Sequence, residues 1–324
     1  MTGHINNFQN SDHPMESWPP LAEKSRALEY QGGTLFYYDS AGTADSEGSA
    51  GILDTGAAKK PSVVLIHGLG DEADSWRHVI APLNEAGFRV IAPDLPGFGR
   101  SAVRGRINMD RHAEAVLALI QAAGAADKEN PAVLAGNSMG AVIAEAAAFR
   151  RPDLVKALIL IDGCFPMAGK TNKSLLIMGL PFIGKKWYRA FRDDPQGAWQ
   201  SLYGYYHNLD AMPEEDKLFL RKRVIARVES SAQERAYFAT LRSLNLVSIF
   251  GRAGFSYCVK HFPGKFLVIW GAEDQILKKG KAREICSLRP DAAYTLISGA
   301  GHLPQQEKPR ETAAVMIDFL RPLL

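Results

Sequence analysis

Residues 132–140 have the sequence Ala-Val-Leu-Ala-Gly-Asn-Ser-Met-Gly, and an alanine-rich run continues to residue 149. An apolar run, a serine with a glycine two residues away on each side, and a helix-forming run predict a strand, a very tight turn and a helix. Gly136 and Gly140 are needed because side chains there would collide as strand and helix approach. The spacing can also arise by chance in a chain with 29 glycines. The flanking strand and helix favour a nucleophilic Ser138 instead.

Composition limits the classes of protein that this chain can represent. It has 324 residues, of which 46% are hydrophobic, and a formal net charge of +3. This predicts one large globular unit, or one domain with an insertion, and gives no reason to expect a nucleic-acid partner. The three cysteines show neither close pairing nor metal-ligand spacing, so we expect free thiols and a cytoplasmic location. No apolar run reaches about 18 residues, so we expect no membrane span.

The order of elements predicts the domain organisation. Residues 1–24 are predicted to be a flexible extension, and residues 41–60 a surface loop. In residues 25–162 and 263–324, an initial hairpin is followed by buried strands that alternate with helices. This predicts an α/β fold with a mostly parallel central sheet and helices on both faces. Residues 163–262 contain no clean apolar strand and are predicted to form an inserted helical cap.

A nucleophilic serine requires a base, usually a neutral histidine that a carboxylate orients. Such groups should follow the carboxyl ends of parallel strands. Asp274 directly follows the strand at 266–270, and His302 directly follows the strand at 293–297. The order serine, aspartate, histidine is that of hydrolases with this type of turn. We therefore predict that Ser138, His302 and Asp274 are catalytic.

Each of these assignments has an alternative. A loop aspartate such as Asp274 is often a turn residue or a helix cap, and a lone histidine is often a structural hydrogen-bonder. Asp162 also ends a strand and is the rival carboxylate. Glu273 is adjacent to Asp274, and we expect its side chain to point elsewhere.

Two backbone amides are predicted to stabilise the developing oxyanion. The N–H of Met139 lies at a helix N-terminus, where amides are unpaired. The second donor should come from the loop after the strand at 62–66, and Leu69 is our choice because Gly68 and Gly70 let that loop approach closely. We expect His67 to hold the loop through hydrogen bonds.

Five motifs in this order resemble the α/β-hydrolase fold family. They are His67-Gly68-Leu69-Gly70, the run from Asp94 to Ser101, Gly136-Asn137-Ser138-Met139-Gly140, Gly271-Ala272-Glu273-Asp274, and Gly301-His302. The resemblance covers about residues 26–162 and 264–324, with residues 163–262 in the place of the variable cap. It implies a Ser138–His302–Asp274 triad, an oxyanion hole formed by the amides of Leu69 and Met139, and no cofactor or metal.

The resemblance favours a serine hydrolase that cleaves small, partly apolar carboxylic esters through an acyl-enzyme. Asn137 and Met139 also resemble the carbon–carbon bond hydrolases of aromatic degradation, which act on vinylogous diketones. However, Asp71 and Glu72 stand where those enzymes usually have a longer glycine-rich loop. A hydrolase-fold binding protein with little turnover is a further alternative.

One alternative comes from a different class of enzyme. Residues 68–73 fit the dinucleotide fingerprint Gly-x-Gly-x-x-Gly/Ala, and Asp94 ends the next strand, where a ribose contact would be expected. An NAD-binding oxidoreductase would leave the roles of Ser138, Asp274 and His302 unexplained.

The predicted cap contains one strongly apolar stretch, residues 174–183, followed by Lys185, Lys186 and Trp187. This stretch could pack on the core or form the roof of a substrate pocket. An apolar segment with a basic flank also suits a lipid interface. Trp199, Tyr203, Tyr205 and Tyr206 are candidates for an aromatic lining.

Overall fold

A computed structural model of the chain describes residues 15–41, 61–102, 104–167, 173–180 and 182–323. Residues 1–14 of the expected extension and nearly all of the expected loop at 41–60 lie outside the described residues.

Among the described residues, eight strands form one sheet. They are β1 Ser25–Tyr30, β2 Gly33–Asp39, β3 Val63–Ile66, β4 Val90–Pro93, β5 Ala132–Asn137, β6 Val155–Ile161, β7 Lys265–Gly271 and β8 Ala293–Ile297. Their order is β1-β2-β4-β3-β5-β6-β7-β8, with antiparallel pairing for β1 with β2 and β2 with β4, and parallel pairing for the rest. The predicted fold class is confirmed.

The central strands are buried on both faces. All four residues of β3 are fully buried, and they alternate between two core clusters, with Val64 and Ile66 in one and Val63 and Leu65 in the other. Side chains of successive strand residues point to opposite faces, so one cluster lies on each side of the sheet. This explains why the sequence here is a continuous β-branched and aliphatic run.

Helices cover both faces of the sheet and form the insertion. They are α1 Ile80–Glu85, α2 Met109–Ala122, α3 Met139–Arg150, α4 Lys173–Met178, α5 Ile183–Ala190, α6 Pro195–Gln200, α7 Glu214–Glu229, α8 Ser231–Phe250, α9 Arg252–His261, α10 Arg283–Leu288, α11 Pro304–Glu307 and α12 Pro309–Leu320. The last helix of the insertion, α9, packs against the core, because Phe255 contacts Phe149 of α3 and Val259 joins a core cluster.

Two helical segments are each divided into two elements. Residues 73–85 form a 3-10 helix at Ala73–Trp76 and then α1, and residues 304–320 form α11 and α12. A proline ring disfavours the α conformation of the preceding residue. Accordingly, Lys308, which precedes Pro309, leaves the helical region with φ −132° and ψ 56°.

Residues 15–24 are packed, in contrast to the loose extension expected there. They include a 3-10 helix at Pro19–Lys24, and the side chains of Trp18 and Leu21 are buried. The backbone amide of Trp18 donates to Asp74 Oδ1 at 2.9 Å, and its ring makes an edge contact with Phe219 of α7. These contacts order residues 15–24, whose polar composition predicted a flexible extension.

The cysteines Cys164, Cys258 and Cys286 are free thiols, as expected. Within the described part of the chain, no helix has the length and apolar character needed to cross a membrane.

Candidate active site

Ser138 occupies a strained turn between β5 and α3. Its backbone has φ 54° and ψ −118°, a region that non-glycine residues rarely adopt. A Cβ at Gly136 would lie 2.2 Å from the carbonyl oxygen of Gly140, and one at Gly140 would lie 2.2 Å from that of Ile66. The strand, tight turn and helix predicted around Ser138 are confirmed, and both glycines are needed for the close approach.

His302 and Asp274 form a buried pair at the same end of the sheet. His302 Nδ1 lies 2.9 Å from Asp274 Oδ2. The other carboxylate oxygen of Asp274 accepts hydrogen bonds from the amides of Ile276 at 2.7 Å and Leu277 at 2.9 Å. With a carboxylate facing Nδ1, that nitrogen carries the proton of a neutral ring, and Nε2 is left as the basic atom.

Asn137 connects this pair to the serine turn. Its side-chain Nδ2 donates to the carbonyl oxygens of His302 at 3.1 Å and Ile161 at 3.2 Å. Ser138 is half-buried, and its Oγ forms no hydrogen bond with any residue that the structure describes. The structure therefore brings His302 and Asp274 into contact and joins the residue before Ser138 to the His302 backbone, without a hydrogen bond between Ser138 and His302.

Asp162, the rival carboxylate, is also buried here. A carboxylate oxygen of Asp162 lies within 4.8 Å of the polar atoms of Asp274 and His302. Its Oδ1 accepts from the amide of Gly271 at 2.8 Å, and its Oδ2 has no partner among the described residues. Burial, and then the charge of Asp274, raise the pKa of Asp162 well above its usual range. Of the two carboxyls, Asp274 forms the hydrogen bond with the imidazole, so the geometry favours Asp274.

Asp162, Asp274 and His302 are also the residues of this region that could hold a metal ion. Most of their polar atoms already bind protein groups, since both oxygens of Asp274 and one of Asp162 accept hydrogen bonds. Glu273 points away, as expected, and its Oε2 accepts from the amides of Gly299 at 2.9 Å and Ala300 at 3.2 Å. It thereby fixes the loop that leads to His302.

The two predicted oxyanion donors lie on either side of the serine turn. Met139 is the first residue of α3, where amides lack intrahelical acceptors. Leu69 follows Gly68, and a Cβ at Gly68 would lie 3.4 Å from Ser138 Cβ, so this loop passes directly against the serine. Neither amide donates to another described residue.

His67 fixes the conformation of the loop that carries Leu69. The amide of Leu95 donates to His67 Nε2 at 2.9 Å, so Nδ1 carries the proton and donates to the carbonyl oxygen of Gly68 at 2.8 Å. Burial lowers the pKa of His67, which keeps the ring neutral. The expected holding role of His67 is confirmed.

A buried cluster of ion pairs joins residues 71–74, which follow this loop, to α7. Arg227 binds Asp71 at 2.6 Å and Glu72 at 2.7 Å, while Arg223 binds Glu72 at 3.0 Å and Asp74 at 3.2 Å. Burial opposes the charge of Glu72, but the two arginines outweigh it and hold the pKa of Glu72 well below its usual range. This cluster was not predicted from the sequence. The sequence feature that could have indicated the cluster is the spacing of Arg223 and Arg227, which lie one helical turn apart.

The cluster also argues against the dinucleotide alternative. Asp71 and Glu72, in the middle of the glycine fingerprint, are paired with arginines of α7, and no long helix follows them. Asp94, the expected ribose ligand, accepts from Arg100 Nε at 2.8 Å and from the amide of Ala73 at 2.7 Å. The carboxylate that would contact a ribose is thus already bound by protein groups.

Two tyrosines of the insertion lie over the site. The rings of Tyr205 and His302 have centroids 6.0 Å apart, and the amide of His302 donates to the carbonyl oxygen of Tyr205 at 2.7 Å. Tyr237 of α8 lies 3.2 Å from the position that a Cβ of Gly70 would occupy. Tyr237 was missed in the sequence analysis because nothing local distinguishes it from other helix residues.

The other proposed lining residues lie elsewhere. Tyr206 donates to Gln306 Oε1 at 2.9 Å and packs with Trp199 in a cap cluster, and Tyr203 donates to Asp210 at the surface. The described large apolar side chains of residues 174–183 are mostly exposed, so packing on the core, one of the two interpretations of this stretch, does not hold for most of them. Tyr205 and Tyr237 are the aromatic residues that contact His302 and the loop after β3.

Comparison with known proteins agrees with this geometry. The family model described as alpha/beta hydrolase fold matches residues 61–309. The chain is 27% identical to the AB hydrolase superfamily protein YfhM of Bacillus subtilis (83% of this chain, 93% of the relative). It is 26% identical to a 2-hydroxy-6-oxononadienedioate/2-hydroxy-6-oxononatrienedioate hydrolase of Paraburkholderia phymatum (82% and 89%). An esterase structure from Thermogutta terrifontis superposes with a TM-score of 0.67 at 22% identity (90% and 94%).

The family model covers well over half of the chain, and the sheet order and serine turn agree with it. The chain therefore belongs to the α/β-hydrolase family, and it is an enzyme, a hydrolase.

Proposed function

We propose that this hydrolase cleaves small carboxylic esters with an apolar part, through an acyl-enzyme on Ser138. The observation that carries the proposal is the 2.9 Å hydrogen bond between His302 and Asp274 beside the strained turn of Ser138. In this proposal His302 is the general base, Asp274 orients it, and the amides of Leu69 and Met139 bind the oxyanion.

The reaction follows from the protonation states of these groups. Ser138 Oγ attacks the ester carbonyl carbon while its proton passes to His302 Nε2. The carbonyl oxygen becomes negative and accepts hydrogen bonds from the two amides. The imidazolium, which Asp274 stabilises, then donates its proton to the departing alcohol. A water molecule, deprotonated by His302, hydrolyses the acyl group and restores Ser138.

Carbon–carbon bond hydrolysis is the second candidate, because a relative is named for a dienedioate substrate. A dicarboxylate needs cationic or hydrogen-bonding partners when it leaves water. Arg223 and Arg227, the cap arginines beside the loop after β3, are already paired with carboxylates. The ring that contacts His302 from residues 163–262 is the uncharged ring of Tyr205. These features favour an uncharged ester.

The experiment is a comparison of initial rates on p-nitrophenyl esters of increasing acyl length and on a vinylogous 1,5-diketone. We expect ester turnover by the native enzyme and none by Ser138→Ala, with the same unfolding midpoint for both. Faster cleavage of the diketone than of every ester would favour the second candidate. An absence of turnover and of reaction with a fluorophosphonate would indicate a binding protein and overturn the proposal.

A further inference from the structure

The α4–α5 region exposes an unusual amount of apolar surface. We call this surface the hairpin patch, and it consists of the exposed side chains of Ile177, Leu180, Phe182, Ile183 and Trp187. Phe182 is 87% exposed and Trp187 is 59% exposed. Single exposed apolar residues are common, but a cluster of large ones is typical of an interaction site.

The packing of α5 explains why the hairpin patch stays exposed. The two helices approach through Gly184, where a Cβ would lie 1.9 Å from the carbonyl oxygen of Met178. Tyr188 is directed inward, since its ring contacts Phe238 of α8 and its hydroxyl donates to the carbonyl oxygen of Arg227 at 2.9 Å. Because Gly184 and Tyr188 make the inward contacts of α5, the apolar side chains of the patch point toward solvent.

The charge beside the hairpin patch is mostly positive. Residues 182–192 include four lysines and arginines and no aspartate or glutamate, and the exposed Asp193 and Asp194 follow them. Arg189 and Arg192 bind Glu234. Lys186 forms no ion pair with any described residue, whereas Lys185 interacts with the charge of Glu234. Because the net charge of the chain is only +3, this positive charge is a local feature.

A groove along α8 extends the basic surface. Lys185 lines it together with Arg104, Arg106, Arg235 and Arg242. None of these four arginines forms an ion pair within the described part of the chain. The acidic residue of the lining is Asp110, which binds Arg150. At the end of α8, Leu246 and the strongly exposed Phe250 also line the groove.

We propose that this face of the cap binds the surface of an anionic phospholipid bilayer. Such a surface offers negative headgroups for the lysines and arginines and an apolar phase for Phe182, Ile183 and Trp187. A nucleic acid would satisfy the charges and leave the apolar side chains in water. A second copy of the same face would bring like charges together. The inference does not depend on the ester hydrolysis proposed above.

Trp187 provides the measurement. Of the five tryptophans in the chain, the other four (Trp18, Trp76, Trp199 and Trp270) are buried, so changes at a surface are reported mainly by Trp187. The full-length enzyme is titrated with vesicles of phosphatidylcholine alone or mixed with phosphatidylglycerol. We expect a blue shift of emission and protection from acrylamide with the mixed vesicles only, and a loss of both at high salt.

Matched variants test which side chains are responsible. Lys185→Gln combined with Lys186→Gln should weaken binding to the mixed vesicles about 25-fold, or about fivefold per lysine. Phe182→Ser should weaken it about tenfold or more. Leu218→Ser removes an exposed apolar side chain of α7 outside the patch and should leave binding unchanged. Vesicle binding can be measured by sedimentation for all variants, independently of turnover.

Several outcomes would overturn the inference. These are equal binding to both kinds of vesicle, no binding to either, or binding that the lysine and phenylalanine changes leave intact. Protection of Trp187 by an oligonucleotide or by polyglutamate instead of vesicles would identify a different partner. Protection that rises with protein concentration alone would identify a second copy of the chain.

Discussion

Replacing Asp274 with asparagine should nearly abolish turnover, while the same change at Asp162 should have little effect. Both carboxyls are buried near His302, so the comparison separates a catalytic partner from a neighbour. Only Asp274 forms a hydrogen bond with the ring, at 2.9 Å.

The size of the Asp274→Asn effect follows from the tautomer of His302. Two backbone amides occupy Asp274 Oδ1, so an asparagine that keeps this oxygen in place directs its NH₂ group at His302 Nδ1. The ring proton then moves to Nε2, which can no longer accept the proton of Ser138. Loss of the correct tautomer costs about 10⁴-fold in kcat, or about 5.5 kcal/mol of transition-state stabilisation.

The Asp162→Asn effect should be small because Asp162 forms no hydrogen bond with His302. Burial and the charge of Asp274 raise the pKa of Asp162, and an asparagine has the same shape as a neutral carboxyl. The amide oxygen can still accept the hydrogen bond from Gly271 N–H. We expect kcat to stay within about a factor of three of the native value.

The assay is the steady-state hydrolysis of the best p-nitrophenyl ester, with kcat and KM determined for both variants. Unfolding midpoints in urea serve as the control, so that a loss of activity is not confused with a loss of folded enzyme. An equal loss of kcat in the two variants, or a larger loss in Asp162→Asn, would refute the assignment of Asp274. It would indicate that Asp162, which follows β6, is the carboxylate that orients His302.

Three further perturbations test the surroundings of the site. Glu72→Gln removes the carboxylate that balances two buried arginines, and should lower the free energy of unfolding in urea by about 3 kcal/mol at about pH 7. Glu85→Gln changes an exposed glutamate and should lower the same free energy by less than about 0.5 kcal/mol. Because the pKa of Glu72 is lowered in the folded state, this difference should shrink as the pH falls below about 4.3, and a constant difference would refute the pairing. Glu145 accepts a hydrogen bond from the amide of Phe165, and burial raises its pKa in the folded state. The native enzyme should therefore lose stability relative to Glu145→Gln as the pH rises above about 4.3, the ordinary pKa of glutamate. Parallel curves of unfolding free energy against pH would contradict this. Tyr237→Phe should raise KM for esters about threefold to tenfold with little change in kcat if its hydroxyl contacts substrate, and an unchanged KM would exclude that contact.

The serine turn was predictable because its determinants are local. The apolar run, the two glycines and the alanine-rich run lie within 18 residues, and each has a single physical role. The positions of Asp274 and His302 were predictable for a related reason, since parallel strands end at one edge of a sheet. These rules placed both residues in one region before their contact was known.

Other features depend on contacts between distant segments. Glu72 and Arg223 are 151 residues apart, and no local pattern indicates which arginine of α7 pairs with which acid of the loop. The burial of Trp18 likewise depends on Phe219 of α7. The apolar stretch at 174–183 was predicted to pack on the core or to form the roof of a substrate pocket. Instead, the inward contacts of α5 are made by Gly184, which lies against Met178, and by Tyr188, which lies against Phe238.

The central claim is that Ser138 is the nucleophile and that His302 activates it. The most direct measurement is the reaction of the native enzyme with a fluorophosphonate, followed by intact-mass analysis and peptide mapping. A single adduct on Ser138, formed far more slowly in His302→Ala, is the result expected from the geometry. Ester turnover by an enzyme that carries its adduct elsewhere, or that remains unlabelled, would contradict the claim.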